Sequence, residues 1–316
     1  MSKTSAIPPH PEAGSRPRDF IIGGHAIPAP KLAPGLHIVA TPIGNLGDIT
    51  LRALETLAGA DRIACEDTRV TRKLLDRYAI ATPLSPYHEH NAAKARPILL
   101  RQLADGAAIA LVSDAGTPLI SDPGFKLVRE AAAAGHMVTA VPGPSALLAA
   151  LTLAGQPTDQ FLFAGFLPPK EAARRSRIAE LSRNPATLVL FETGPRVAAT
   201  LADLAAAFGP QREAALCREL TKLHEEIRRG DLAALAQSCA RQEPRGEIVL
   251  VIAPPQAPEQ PSAADTESLL RQALARVSLK DAVAEVALAT GLPRREVYQR
   301  ALALSGQSER DHGAAR

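Results

Sequence analysis

The stretch VSDAGTPLISDPGF, residues 112–125, writes Ser-Asp twice, eight residues apart, with glycine and proline between. Asp114 and Asp122 are open to three kinds of chemistry: a carboxylate pair, a metal site, or the frame of a loop that grips a small molecule. The stretch follows AAIALV (107–112), an apolar run that reads as a buried strand. Asp114 to Pro118 can turn sharply, and Gly116 lets a ligand approach the backbone closely. Asp122-Pro123-Gly124 reads as the cap and first residues of the next helix, because proline suits the first helical turn. The two aspartates therefore take different jobs: Asp122 ends the loop and Asp114 faces a ligand. A divalent metal would want further oxygen ligands converging nearby, and this stretch offers no such spacing.

Two more loops share that character. ATPIGNLGD (40–48) joins an apolar run to a helical pattern, the place where an open parallel sheet carries its ligand loops. Only Gly44 and Gly47 are present there, one glycine short of a dinucleotide fingerprint, and no Gly-Lys-Ser/Thr phosphate loop exists anywhere in the chain. Alone, this loop reads equally well as a tight turn. VPGPSA (141–146) repeats the arrangement; its Gly143 and Ser145 are suited to a carboxylate or hydroxyl at a helix N-terminus. Together the three loops point to a small polar ligand other than a nucleotide polyphosphate.

Basic residues form two runs. CEDTRVTRKLLDRY (65–78) sets Arg69, Arg72 and Lys73 on one helical face, and KEAARRSRIAELSR (170–183) carries Arg174, Arg175 and Arg177 among five basic residues. Each run is either a solvated face or a seat for a phosphate backbone. YHEHN (87–91) puts His88 and His90 on one face of an extended segment, but two ligands without a third make no metal site. Cys65, Cys217 and Cys239 are odd in number and far apart, without zinc-ligand spacing, which points to a reducing cytoplasm.

The elements that must position these residues follow from residue 36 onward. LHIVA (36–40), RIAC (62–65), AAIALV, MVTAV (137–141) and FLFAGF (161–166) read as buried strands with amphipathic helices between them, a mostly parallel sheet covered on both faces. Asp48 and Thr68 are the expected helix caps of the first two helices, and Pro144 and Gly155 bound another. ATLVLFE (186–192), EAALC (213–217), HEEIRRG (224–230) and EIVLVIA (247–253) read as strands of a second sheet. The division expected is a disordered tail over 1–34, α/β domains over 35–155 and 156–253, a proline-rich linker over 254–265, a helix-turn-helix-like module over 266–304 and a tail over 305–316. The chain is 316 residues, 46 % hydrophobic and 22 % charged, with a net charge of +3 and no apolar run of membrane-spanning length. It reads as soluble, with no secretion signal and only a weak lean toward polyanions.

LHIVATPIGNLGDITLRALETL, CEDTRVTRKLL, SPYHEHN, LVSDAGTPLISDPG, AVPGPSALLAAL and RELTKLHEE occur in that order. Together they resemble the ribosomal RNA small subunit methyltransferase I family of the tetrapyrrole methylase superfamily. The resemblance covers about 35 to 253 and the C-terminal module; EDTR and YHEHN resemble the RNA-modifying branch in particular. It implies S-adenosylmethionine in a cleft between two α/β domains, usually in a homodimer, and 2'-O-methylation of cytidine 1402 in 16S ribosomal RNA. On the matching motifs, Pro42, Gly44 and Asn45 would lie in the first cofactor loop. Asp114, Ala115, Gly116 and Thr117 would wrap the ribose and amino acid, with Gly143, Ser145 and Ala146, and then Phe166 and Leu167, closing the site. The family's Glu-Ser-Pro-His-Arg reads Glu192-Thr193-Gly194-Pro195-Arg196 here, so no role of that histidine carries over.

A ribose hydroxyl needs alignment and a nearby base or lysine. Asp67, Lys73 and Glu89 are the candidates, each equally readable as a salt-bridge partner. Arg69, Arg72, Arg174, Arg175 and Arg177 are the candidate RNA contacts. Two rivals remain: a tetrapyrrole carbon methylase, and a cofactor-free RNA-binding assembly protein. The basic helices and extra module oppose the first, and the intact loops oppose the second.

Overall fold

A computed structural model describes residues 18–255 and 263–313. The described chain begins with a hairpin, β1 (Asp19–Ile22) and β2 (His25–Pro28), turning at Gly23-Gly24. This corrects the reading of 18–34 as part of a disordered tail; residues 1–17 of that tail lie outside the described residues. The hairpin is fixed by burial of Phe20, by Ile21 N–H donating to the Tyr78 carbonyl (2.8 Å) and by an Arg18–Asp61 ion pair (2.7 Å). Flanking prolines hide its short apolar alternation.

The first sheet follows. Its elements are β3 (Gly35–Val39), α1 (Leu51–Gly59), β4 (Arg62–Cys65), α2 (Thr68–Arg77), β5 (Leu84–Pro86), α3 (Ala92–Ala104), β6 (Ala108–Val112), α4 (Phe125–Ala133), β7 (Val138–Val141) and α5 (Ala146–Ala154). The five strands are all parallel, in the order β5-β4-β6-β3-β7. β4 and β6 are buried along their whole length, as parallel strands covered on both faces must be. The caps fall one or two residues from the expected places. Thr50, not Asp48, accepts from Ala53 N–H to open α1, and Asp67, not Thr68, opens α2 by accepting from Arg69 N–H. Either residue type can cap, and the extended backbone of Thr50 and Asp67 decides.

The second sheet uses β8 (Phe161–Phe166), α6 (Glu171–Leu181), β9 (Thr187–Thr193), α7 (Gly194–Phe208), β10 (Glu213–Arg218), β11 (Glu226–Asp231), α8 (Leu232–Arg241) and β12 (Glu247–Ile252). Its order is β11-β10-β12-β9-β8, antiparallel except for the β8–β9 pair. FLFAGF therefore opens the second sheet, and its Phe161 and Phe166 are exposed. α5 bridges the halves: Ala150, Leu151 and Ala154 pack with Ile43 from the first half and with Val189, Ala215 and Val249 from the second sheet. Burying that shared apolar cluster joins the two halves.

The C-terminal unit has three helices, α9 (Ala263–Leu274), α10 (Leu279–Thr290) and α11 (Arg294–Gly313), around Leu270, Val286, Val297 and Ala301. Ser278 caps α10 and Gly291 ends it in the left-handed conformation, so the Thr-Gly-Leu-Pro turn is where the sequence puts it. α9 begins inside the expected linker, most of which lies outside the described residues. α11 continues through most of the expected tail.

Candidate active site

Strands β4, β6, β3 and β7 are neighbours, so the loops leaving their carboxyl ends stand side by side. Backbone bonds lace them together. Thr41 and Gly116 exchange N–H···O bonds of 2.9 and 3.0 Å, and the Thr117 hydroxyl donates to the Pro144 carbonyl (3.2 Å). Asp114 accepts from the Asp67 N–H (2.9 Å), which ties the EDTR segment to the central loop. Gly116 sits at a φ of 78°, and its absent Cβ would lie 3.3 Å from Ile43.

Two cavities open over these loops. One of about 310 Å³ is walled by Thr117, Ser145 and Ala146 of the first half and by Phe166, Phe191 and Val249 of the second sheet. The other, of about 300 Å³, is walled by Pro42, Gly44, Lys73, Ser113, Asp114 and Lys222. Ile43, Ala115 and Glu247 border both, so the cavities adjoin. Each is of the size of a small-molecule site. The floor is tight: a Cβ on Gly44 would lie 2.4 Å from Lys222 Cγ, so only glycine lets ELTK of the second half close on the first loop. Lys222 is held there by Glu219 (2.8 Å) and Glu247 (2.9 Å).

The loop residues named from sequence divide into two groups. Pro42, Gly44, Asp114, Ala115, Gly116, Thr117, Ser145, Ala146 and Phe166 line the cavities. Asn45, Gly143 and Leu167 do not. Asn45 accepts from Gly47 N–H (3.0 Å) to shape the first loop. Gly143 gives room for Ala40, whose Cβ would be 3.1 Å from an added one. Leu167 is buried in the second core, where its carbonyl accepts from Arg196 (2.7 Å). Of the wall from the second half, sequence reading named only Phe166 and missed Phe191, Glu192, Cys217 and Leu220. Only the Glu192–Arg196 register hinted at it. Gly194, the departure in that segment, has a backbone reason: a Cβ there would lie 2.0 Å from the Pro244 carbonyl oxygen.

Asp122 is not the helix cap. Gly124 precedes α4 at a φ of 139°, with no side-chain cap bond, and Asp122 lines the larger cavity instead. Leu119 and Ser121 before it both have positive φ, at 73° and 68°, so the loop follows a strained path that no turn rule anticipates.

Charge is distributed unevenly. Burial, with Glu66 and then Asp114 nearby, raises the Asp122 carboxyl to about 6, against the opposing Ser113 hydroxyl. Burial and Asp114 raise Glu66 as well, although His88 opposes them. Asp67 goes the other way, to about 2, because the Arg69 side chain and backbone hold its carboxylate. Burial pushes the thiols of Cys65 and Cys217 up to about 11, so Cys217 on the cavity wall is no nucleophile.

The other predicted residues fare differently. Lys73 lines the smaller cavity, and Glu89 is exposed. Arg69 and Arg72 are exposed on α2 and border a shallow hollow. Of the α6 arginines read as RNA contacts, Arg174 is taken up inside the fold, while Arg175 and Arg177 keep exposed side chains beside their partners. Arg174 is buried against Asp203 (2.8 Å), Arg175 bridges Asp203 and Glu171 (2.8 Å each), and Arg177 pairs with Glu180 (2.7 Å). No group of three or more metal-ligating side chains gathers among the described residues.

The tetrapyrrole (corrin/porphyrin) methylase profile matches residues 35–236, and that of the RsmI C-terminal helix-turn-helix domain matches 260–305. A ribosomal RNA small subunit methyltransferase I of Mesorhizobium japonicum is 50 % identical over 93 % of this chain and 100 % of its own. The chain belongs to the ribosomal RNA small subunit methyltransferase I family. A second relative of that name, from Erythrobacter litoralis, is 52 % identical over 89 % of this chain and 99 % of its own. Among solved structures, the uroporphyrin-III C-methyltransferase of Thermus thermophilus superposes with a TM-score of 0.51 at 21 % identity, covering 70 % of this chain and 94 % of that one. That likeness shows a shared fold. For this family the paired cavities at the strand ends are the candidate active site.

Proposed function

We infer that the protein is an S-adenosylmethionine-dependent ribosomal RNA methyltransferase that 2'-O-methylates cytidine 1402 of 16S ribosomal RNA, acting in the cytoplasm as a homodimer. The observation that carries this reading is the meeting of the three Gly/Pro loops at one pair of adjoining cavities, with EDTR tied to the central loop by the Asp67–Asp114 bond.

The larger cavity fits the cofactor on its own chemistry. Phe166 and Phe191 offer aromatic edges to a base, and Thr117 and Ser145 offer hydroxyls to a ribose or amino acid. Ser145 and Ala146 on its wall put the first turn of α5, with its free N–H groups, against a carboxylate. The bound cofactor would supply an electrophilic methyl group. The smaller cavity, with Lys73, Lys222 and Asp114 on its walls, is suited to the acceptor ribose and its phosphates. Arg69 and Arg72 extend that positive surface outward along α2. A single-stranded or flipped nucleotide is the form in which such a pocket reads RNA. The protein's share in the reaction is alignment, holding the hydroxyl oxygen about 3 Å from the methyl carbon.

Mass spectrometry of 16S ribosomal RNA nucleosides from a deletion strain tests the substrate. The 2'-O-methyl on cytidine 1402 is expected to disappear; its persistence would refute the assignment. Phe166→Ala, which strips an aromatic wall from the larger cavity, should weaken cofactor binding in calorimetry while the fold is retained. Sedimentation of the purified protein checks the dimer.

A further inference from the structure

We propose that Asp122 is the general base that takes the proton from the ribose hydroxyl, with Glu66 as its charged neighbour. This role rests on the methyltransferase reading above.

The placement of Asp122 supports it. The carboxyl lies on the wall of the larger cavity, and Ser113, whose hydroxyl is within bonding reach of it, lines the smaller one. It therefore stands on the methyl donor's side of the boundary between two cavities that adjoin. It is not consumed by structure either, since α4 is opened by Gly124 and takes no side-chain cap. The strained Leu119–Ser121 path delivers it there, and Ser121 is itself set close by Gly165, whose absent Cβ would be 3.3 Å from the Ser121 hydroxyl. Asp67, by contrast, is tied up by the α2 cap and by Arg69.

The groups facing the site come from every neighbouring loop. Glu66 at the end of β4 and Asp114 after β6 both press a proton onto Asp122, and the Ser113 hydroxyl within bonding reach opposes them. His88 and Asp67 face Glu66 in turn. Across the cavity, Glu192 is bound by Thr200 (2.7 Å) and Arg196, and Glu247, largely exposed, is paired with Lys222 (2.9 Å). The step balances simply. The Asp122 carboxylate accepts the hydroxyl proton as the oxygen–methyl bond forms; the methyl–sulfur bond breaks and sulfur keeps its electron pair. A carboxylate and a sulfonium become a carboxylic acid and a neutral thioether.

Three measurements test the role. Carbon NMR of aspartate-labelled, ligand-free protein should show one side-chain carboxyl titrating near pH 6, absent in Asp122→Asn. The single-turnover rate should rise through that pH as the base ionises. Asp122→Asn should flatten this limb and lower the rate at saturating S-adenosylmethionine roughly 100-fold or more. Glu66→Gln removes a negative neighbour and should move the limb to lower pH without abolishing turnover, a shift that a merely structural glutamate would not cause. An active wild type whose pH limb survives in Asp122→Asn, or stays put in Glu66→Gln, would overturn the role of Asp122 alone. A wild type that transfers no methyl to small-subunit RNA would overturn the functional reading with it.

Discussion

α2 and α6 look alike as sequence, each a helix with several arginines, yet the fold uses them in opposite ways. On α2 the Arg69 side chain stays 87 % exposed despite its contact with Asp67, and Arg72 is exposed beside a shallow hollow. On α6 the Arg174 side chain is only 9 % exposed and shares Asp203, a residue of α7, with Arg175. The carboxylate that neutralises α6 lies 29 residues downstream of Arg174, and only packing of α6 on α7 brings it there. A local charge run therefore says how much positive charge exists, and the tertiary partner decides whether any is left for RNA. Desolvation sharpens the contrast. A buried arginine is tolerable only with a carboxylate in contact, whereas an exposed one costs nothing and remains available to phosphate.

The largest effect should come from breaking the buried side of this contrast. Asp203→Ala leaves Arg174 without its counter-charge and is expected to cost about 3–5 kcal/mol of stability, read from urea denaturation. The exposed side should respond in binding. Replacing Arg69 and Arg72 by glutamine should weaken RNA affinity several-fold and reduce the salt slope by about two, roughly one for each phosphate no longer neutralised. Stability should be unchanged. The smallest effect is expected at Arg177, paired only with Glu180 on the surface. Arg177→Gln should leave RNA affinity unaltered and shift stability by no more than about 0.5 kcal/mol. A large fall in affinity at Arg177, or none at Arg69 and Arg72, would reverse the assignment of the two helices.

The same distinction between local and distant partners explains what was legible. β3, β4, β6 and β7, with the three Gly/Pro loops that follow β3, β6 and β7, were readable because apolar runs and turn residues are local signals. Nine of the residues named from the motifs line the cavities. Asn45, Gly143 and Leu167 belong to the same segments but shape or pack them, because adjacency in a motif does not say which way a side chain points. The second wall was not legible. Phe191, Cys217 and Val249 sit mid-strand in a largely antiparallel sheet, where nothing but burial distinguishes a cavity wall from a core. Asp122 was misread for a related reason. Asp-Pro-Gly is a good helix start by residue type, but Gly124 at positive φ takes that place and frees the carboxyl. The hairpin of β1 and β2 and the short β5 carry too few residues for a periodic signal.

The identity of the acceptor atom decides the functional reading. Small subunits from a strain lacking this protein should be incubated with the purified chain and isotopically labelled S-adenosylmethionine, and the label located by nuclease digestion and mass spectrometry. One labelled methyl on the 2'-oxygen of cytidine 1402 is the expected result. Label on a base, on another nucleotide or nowhere in the RNA would contradict it.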